Sequence, residues 1–323
     1  MSGLYDSFLR PINYLRLSVT DRCNLRCIYC MPEEGIQPFP RDSVLSYEEI
    51  YLVTRAAAEL GINKVRITGG EPLVRLSLEK LIGLISQIPG IDDISLTTNG
   101  TLLSRQAAEL RAAGLKRVNV SLDSLRPERY HQITRRGRLE DVLQGIAKAR
   151  EVGLKPLKIN VVVMRGINDD ELLDFCRLTL EGDWHIRFIE LMPFEGQDGW
   201  FVSIPEMQER IQSLGEMEPY PLSGNGPARY YRLPGAKGTI GFIGALSEHI
   251  CFRCNRLRLT AEGKLRPCLL SDDEVDLRGP LRRGASFEEV KNLIRQAVAS
   301  KPAGHPVKVQ VTLARRAMSQ IGG

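Results

Sequence analysis

The chain has no apolar run of the about eighteen residues needed to cross a bilayer, and its opening, MSGLYDSFLRPINY, lacks a basic-then-apolar leader. A cytoplasmic protein with no membrane partner is expected. No GxxxxGK[ST] loop occurs, which removes P-loop phosphate hydrolysis from the candidate chemistries. Nor is there a large excess of charge of one sign: 44 Lys and Arg against 39 Asp and Glu leave a formal +5 at pH 7, spread along the chain. That balance argues against a nucleic-acid clamp and leaves room for a local pocket for an anionic substrate. With 323 residues, 43% of them hydrophobic, the chain can build one large domain, or a domain with an extension, around a solid core.

The informative residues are seven cysteines, six of which fall into two triplets. In a reducing compartment these are ligands rather than bridges, and Cys176, alone in the helical run DDELLDFCRLTL, reads as a buried apolar side chain. Cys23, Cys27 and Cys30 in DRCNLRCIYC have the spacing CxxxCxxC, and GGEP follows at Gly69 to Pro72. Three thiolates are soft ligands suited to an iron–sulfur cubane, and three alone leave one iron open. Structural zinc normally closes with four protein ligands, and no nearby histidine or fourth cysteine completes this set.

This pairing of motifs resembles the radical S-adenosylmethionine (SAM) superfamily. The resemblance implies that the open iron chelates the amino and carboxylate groups of the methionine moiety, and that an electron from the cluster splits the sulfonium to a 5'-deoxyadenosyl radical. It also implies that Tyr29 lies near the adenine, that the GGEP backbone meets the methionine amino group, and that Gly70, Ser121 and Met192 line SAM.

From about residue 14 to residue 193, β-branched runs (LRLSVT, KVRITGG, DISLTTNG, KRVNVSLD, LKINVVVM, HIRFIELMP) alternate with amphipathic helical stretches. Ser46 with Glu49 forms a capping box opening YEEIYLVTRAAAEL, and Gly61 stops that helix; SLEKLIGLISQI, SRQAAELRAAG and LEDVLQGIAKAREVG follow, the last two ending at a glycine C-cap. A doubly wound open sheet would give the same alternation. The resemblance favours an α/β fold with a partial (βα)6 TIM-like barrel over residues 1–193, whose working groups sit at the carboxyl ends of the strands. The motifs obey that rule: the cysteine loop follows the first strand, Gly69 to Pro72 the second, Thr97 to Gly100 the third, Ser121 and Asp123 the fourth, Met192 and Pro193 the sixth.

Over residues 194–323 the rhythm breaks, with a helix near IPEMQERIQSLG and irregular strands near ARYYRLPGAKGTIGFIGAL, and this reads as an extension rather than more barrel. It holds the second triplet: Cys251 and Cys254 form CxxC, and Cys268 follows after thirteen residues. Local spacing leaves zinc open here, with His249 as a possible fourth ligand, beside a second cluster. In NRLRL, strand alternation would put Arg256 and Arg258 on one face and Leu257 and Leu259 on the other. A nucleoside triphosphate needs several convergent cations, arginine above all, and Arg16, Arg66, Lys158, Arg256 and Arg258 are the candidates.

The segment CFRCNRLRLTAEGKLRPCL, with YLRLSVTDRCNLRCIYCMP and the terminal Gly322 and Gly323, resembles the GTP 3',8-cyclases of molybdenum cofactor biosynthesis from nearly end to end. That resemblance implies two [4Fe-4S] clusters, each on three cysteines, the second binding the guanine of GTP. It implies GTP contacts at Arg16, Arg66, Thr97, Lys158 and Arg256 to Arg258, Leu257 included, and a catalytic tail Gly322–Gly323 working with Arg256 and Arg258. The reaction implied is removal of the C3' ribose hydrogen, bonding of C3' to C8, and completion of 3',8-cyclo-7,8-dihydro-GTP by one electron and one proton. The implied partners are a flavodoxin- or ferredoxin-like electron donor and a downstream cyclic pyranopterin monophosphate synthase, for a monomer or homodimer. The serine and glutamate at Ser286 and Glu289 read as a second capping box on the helix before the tail. Two rivals are a peptide-modifying radical enzyme, whose docking module is not visible, and a zinc nucleic-acid protein, which leaves GGEP unexplained.

Overall fold

The computed structural model describes residues 3–192, 199–222, 226–244, 246–248, 250–304 and 318–322. Pro193, His249 and Gly323 therefore lie outside the described residues. Strands β1 (Tyr14–Ser18), β2 (Lys64–Thr68), β3 (Asp93–Thr98), β4 (Arg117–Ser121), β5 (Lys158–Val163) and β6 (His185–Glu190) pair in chain order, all parallel. They fall on the six expected runs. The helices between them are α1 (Tyr47–Glu59), α2 (Leu78–Ser86), α3 (Leu103–Ala112), α4 (Pro127–Thr134), α5 (Leu139–Glu151) and α6 (Leu172–Glu181). The box on α1 is complete: Glu49 N–H donates to Ser46 Oγ at 3.2 Å and Ser46 N–H to the Glu49 carboxylate at 2.7 Å. Gly61, Gly114 and Gly153, at φ +107°, +116° and +75°, end α1, α3 and α5 in the left-handed backbone that glycine adopts without strain.

Beyond residue 193 come α7 (Ile204–Ile211), β7 (Glu218–Pro219), β8 (Arg229–Arg232), β9 (Thr239–Ile243), β10 (Arg256–Leu259), β11 (Lys264–Arg266), β12 (Val275–Asp276), α8 (Arg278–Arg282), α9 (Phe287–Ala299) and α10 (Met318–Ile321). The expected partial barrel with a carboxyl-terminal extension stands, and strands of the extension continue the barrel's sheet. β9 pairs parallel with β6 and β10 parallel with β1, so the six strands become eight parallel ones, with antiparallel β7–β8 and β11–β12 at the two edges. The sequence pattern does not reveal this continuity, because TIGFI and RLRL are short and no α-helix among the described residues joins them, so no βα period marks them as barrel strands. On α9 only the serine half of the expected box forms, Glu289 N–H donating to Ser286 Oγ at 3.2 Å.

Alternation along the strands sorts the residues by face. Leu15, Leu17, Val65, Ile67, Leu96, Val118, Val120, Ile159, Ile186, Leu257 and Leu259 are buried in one hydrophobic core under the helices. Each such side chain removed from water contributes about 1.5–3 kcal/mol. Cys176 is part of this core, as expected. The opposite, inward face carries Arg16, Arg66, Ser95, Thr97, Asn119, Lys158, Asn160 and Arg187. The core thus holds a polar interior in place.

Close packing of α5 against the turn before α3 depends on Gly145, whose missing Cβ would overlap the Gly100 carbonyl oxygen and lie 3.1 Å from Leu103 Cβ. Propensity alone favours alanine in a helix interior by about 1 kcal/mol, whereas overpacking costs about 1–3 kcal/mol. Gly145→Ala should therefore lower the Tm in thermal unfolding, and an unchanged or raised Tm would contradict this packing.

Candidate active site

The first triplet sits on the loop leaving β1, at the carboxyl ends of the strands. The loop is stitched to GGEP by backbone bonds: Gly70 N–H donates to Thr20 O at 2.7 Å and Glu71 N–H to Arg22 O at 2.8 Å. Side chains would break this stitch, since a Cβ on Gly69 would stand 2.6 Å from Thr20 O and one on Gly70 would overlap Arg22 O. The Glu71 carboxylate, 1% exposed, accepts from Leu73 N–H, Thr98 Oγ1 and Asn99 N–H at 3.0, 2.7 and 2.7 Å. Burial pushes it up to about 7 against those bonds. Tyr29 Oη donates to Asp123 at 2.8 Å, and Val162 N–H donates to the same carboxylate at 2.8 Å, which ties the cysteine loop to β4 and β5. Burial pushes the thiols of Cys23 and Cys30 up to about 11 and 12, and that of Cys27 well up, so a metal loaded there displaces protons.

The second triplet lies at the other end of the barrel. Cys254 precedes β10, which runs parallel to β1, and Cys268 follows β11, which runs back antiparallel, so both stand at the amino-terminal end of the strands. The expectation that working groups gather at the carboxyl ends holds for the first triplet and not for this one. Burial pushes the Cys254 thiol up, but Arg256 and Lys301 outweigh that and bring it down to about 6. Lys301 is buried, its Nζ donating to Arg256 O at 2.8 Å and to Pro267 O at 2.6 Å. Arg10 braces the same end through Cys251 O, Pro302 O and Ala303 O at 2.6–2.9 Å.

Between the two ends lie the cations. In register, Arg258 stands opposite Arg16 and Arg16 opposite Arg66, a row of three guanidinium groups on neighbouring strands. Like charges directly opposite destabilise a sheet, and here Arg66 and Arg258 are also buried and Arg16 half-buried. Burial first, and cationic neighbours with it, push Arg66 and Arg258 down to about 10 and Arg16 well down. One level nearer the amino-terminal end, Lys158 is buried beneath Tyr230, its Nζ 5.0 Å from the ring centroid.

The tail enters this space. The Gly322 carbonyl accepts from Arg16 Nη2, Arg258 Nη1 and Thr68 Oγ1, each at 3.3 Å. Gly322 has φ +71°, and a Cβ there would lie 2.7 Å from Thr68 Oγ1 and 2.8 Å from Ser18 Cβ. Ser319 N–H reaches Cys30 and favours its thiolate.

One cavity of about 340 Å³ takes in both triplets, Arg16, Arg66, Arg256, Arg258, Tyr29, Gly70, Thr97, Ser121, Met192 and the tail at Met318 and Ser319. A family model described as Radical SAM superfamily matches residues 17–179, and one described as Molybdenum Cofactor Synthesis C matches residues 184–307. The GTP 3',8-cyclase of Pelotomaculum thermopropionicum is 53% identical over 99% of this chain and 100% of its own length. That of Heliobacterium modesticaldum is 54% identical, again over 99% and 100%. The chain belongs to the GTP 3',8-cyclase family. The crystal structure of Streptococcus suis SuiB bound to S-adenosylmethionine matches with TM-score 0.58 at 12% identity, covering 84% of this chain; the chain spans 61% of that structure's length. That of anSMEcpe with bound AdoMet matches with TM-score 0.57 at 14% identity, covering 86% of this chain and 76% of that one. Those two likenesses show the fold alone.

As a member of this family, the chain is an enzyme whose resident groups are a cubane and SAM. The first triplet fits them: three free thiols converge on a cavity beside a glycine pair that leaves no room for side chains. Among the described residues, no group of three or more Cys, His, Asp or Glu is close enough to hold a single metal ion, and a cubane spreads its three thiolates wider than one ion does. Two predicted substrate contacts do not line the cavity: the Leu257 side chain is in the core, and Lys158 lies below the lining. The sequence reading missed Arg187 and Asn160, both in the cavity wall, whose Nε and Oδ1 are buried without a hydrogen-bond partner among the described residues. It also missed Lys301 and Arg10. A lone polar residue on a β-branched strand has no local signature, although the inward parity of Asn160 and Arg187 could have flagged them.

Lys158 carries a test of this crowding. Burial first, then Arg187, Arg117 and Arg66, push its ammonium down from 10.5 to about 6. Between those values the unfolded chain holds the proton that the folded chain gives up, so the stability from this site is present above 10.5 and is lost as pH falls to about 6. Lys158→Met should raise the Tm over wild type most near pH 6 and progressively less toward about pH 9. An advantage that grows with pH would contradict this.

Proposed function

We propose that the cavity binds GTP, with its phosphates on the inward cations and its base toward Cys251, Cys254 and Cys268, and converts it to 3',8-cyclo-7,8-dihydro-GTP in molybdenum cofactor biosynthesis. The carrying observation is the row Arg258, Arg16 and Arg66 inside the cavity that both triplets share. A polyanion relieves the repulsion that this row builds up. The names of the full-length relatives support the same substrate.

In this reading the first triplet holds a [4Fe-4S] cluster, with Tyr29, Gly70, Ser121 and Met192 around SAM; the second triplet holds another. The first cluster would pass one electron to SAM, which would give methionine and a 5'-deoxyadenosyl radical to take the C3' hydrogen, and the second would bind the guanine; C3' then bonds C8, and one further electron and one proton complete the product. The protein's own part is alignment. Arg16, Arg66, Arg256 and Arg258 grip phosphate oxygens, and that remote binding energy sets the ribose against the radical. Thr97 lines the cavity and accepts from Asn119 Nδ2 at 3.3 Å, which leaves its hydroxyl hydrogen for substrate. Leu257 contributes through its backbone alone, and Lys158 from behind the residues that line the cavity. The carbonyl of Gly322 orients Arg16 and Arg258, and Gly323 shares its catalytic role.

By this account residues 1–193 supply the radical half, and residues 194–323 supply the far end and the tail. The enzyme works in the cytoplasm as a monomer or homodimer, takes its electron from a flavodoxin- or ferredoxin-like carrier, and passes product to cyclic pyranopterin monophosphate synthase. No helix among the described residues is long and apolar enough to cross a membrane.

The test is anaerobic incubation of reconstituted protein with SAM, a strong reductant and each ribonucleoside triphosphate in turn, followed by mass spectrometry. GTP alone should give an isomer of its own mass together with 5'-deoxyadenosine. If 5'-deoxyadenosine forms while every nucleotide is unchanged, the substrate assignment falls. Deleting Gly322 and Gly323 should abolish the isomer while leaving the Tm and the iron content unchanged; undiminished product would reject the role of the tail.

A further inference from the structure

A second cleft, of about 200 Å³, opens on the outside of the cysteine loop. Asn24, Leu25, Thr101, Arg105, Arg136 and Arg138 line it, with Asp141 as the one carboxylate in its wall. All three arginines are exposed. Among the described residues neither Arg105 nor Arg136 pairs with a carboxylate, and Arg138 meets only Glu140, at 3.9 Å. Their positions are unfavourable for the fold itself. Arg105 lies in the first turn of α3, which has no acidic residue there, and Arg138 is the N-cap of α5, both at the positive ends of helix dipoles.

The cleft is separated from the active-site cavity by little more than one side chain. Leu25, 3% exposed, lines both. Its N–H donates to Cys23 Sγ at 3.4 Å. Asn24 Nδ2 donates to Thr101 Oγ1 at 2.9 Å, and Asn24 Oδ1 accepts from Asn99 Nδ2 at 2.9 Å, so the cleft wall is bonded to the strand end behind Cys23.

We propose that this arginine-lined cleft is the docking site for an acidic one-electron carrier protein, which delivers its electron to the first cysteine triplet across the Leu25 wall. The proposal rests on the reading that this triplet holds a redox cluster. The carrier loses one electron and the group on Cys23, Cys27 and Cys30 gains it, with no bond made to the protein. A small anion would satisfy the arginines equally and carry no electron, so the experiment separates the two.

The experiment measures binding of an acidic flavodoxin to the anaerobic holoenzyme, at low salt and at roughly 0.5 M salt. Stopped-flow reduction of the enzyme by the reduced flavodoxin is followed alongside. Arg105→Glu/Arg136→Glu should weaken binding roughly tenfold or more and slow flavodoxin reduction in proportion, while dithionite reduces the variant as fast as wild type. Lys116→Glu/Lys155→Glu, the same charge change at the amino-terminal end of the barrel, should bind as wild type does. Equal binding by the cleft variant, or equal weakening by the control, overturns the proposal. So does inorganic phosphate that saturates the cleft without displacing flavodoxin. Because binding is read without GTP, loss of the GTP assignment would leave this result standing.

Discussion

Three guanidinium groups held in register on neighbouring strands are the constraint on which the site depends. Arg258, Arg16 and Arg66 are neighbours in register, and strand geometry gives them no freedom to separate. Screening by solvent is weak in a buried cavity, so these groups act strongly on an anion that enters. The fold can hold this arrangement because the opposite faces of the same strands, Leu15, Leu17, Leu257 and Leu259 among them, are anchored in the core.

The second consequence is a site with two ends. A parallel barrel normally presents its chemistry at the carboxyl ends of the strands. Here β10 joins β1 and brings Cys254 to the amino-terminal end, so one cavity has a thiol triplet at each end and cations between. The tail closes the arrangement from the side, with one carbonyl shared by Arg16, Arg258 and Thr68, while Lys301 and Arg10 hold the lower triplet through backbone carbonyls.

Much of this is legible in the residues. The strands β1 to β6 announce themselves because β-branched runs and capped helices alternate, and CxxxCxxC with GGEP is specific because the thiols and the glycine pair must meet. The alternation in NRLRL also places its arginines and leucines on the correct faces. What stays hidden needs long-range pairing. TIGFI and RLRL become barrel strands only through β6 and β1, and the far triplet's position follows from that pairing rather than from its spacing. Arg187 and Asn160 are single polar residues whose inward direction has meaning only once the sheet curves around a cavity.

The account stands on both triplets holding cubanes about one shared cavity. Mössbauer spectroscopy with iron and zinc analysis of the anaerobically reconstituted protein tests that directly, alongside a Cys251→Ala/Cys254→Ala/Cys268→Ala variant. The account predicts two cubanes in the wild type, one in the variant, and no stoichiometric zinc. One cubane plus one zinc in the wild type, with the iron spectrum unchanged in the variant, would contradict it.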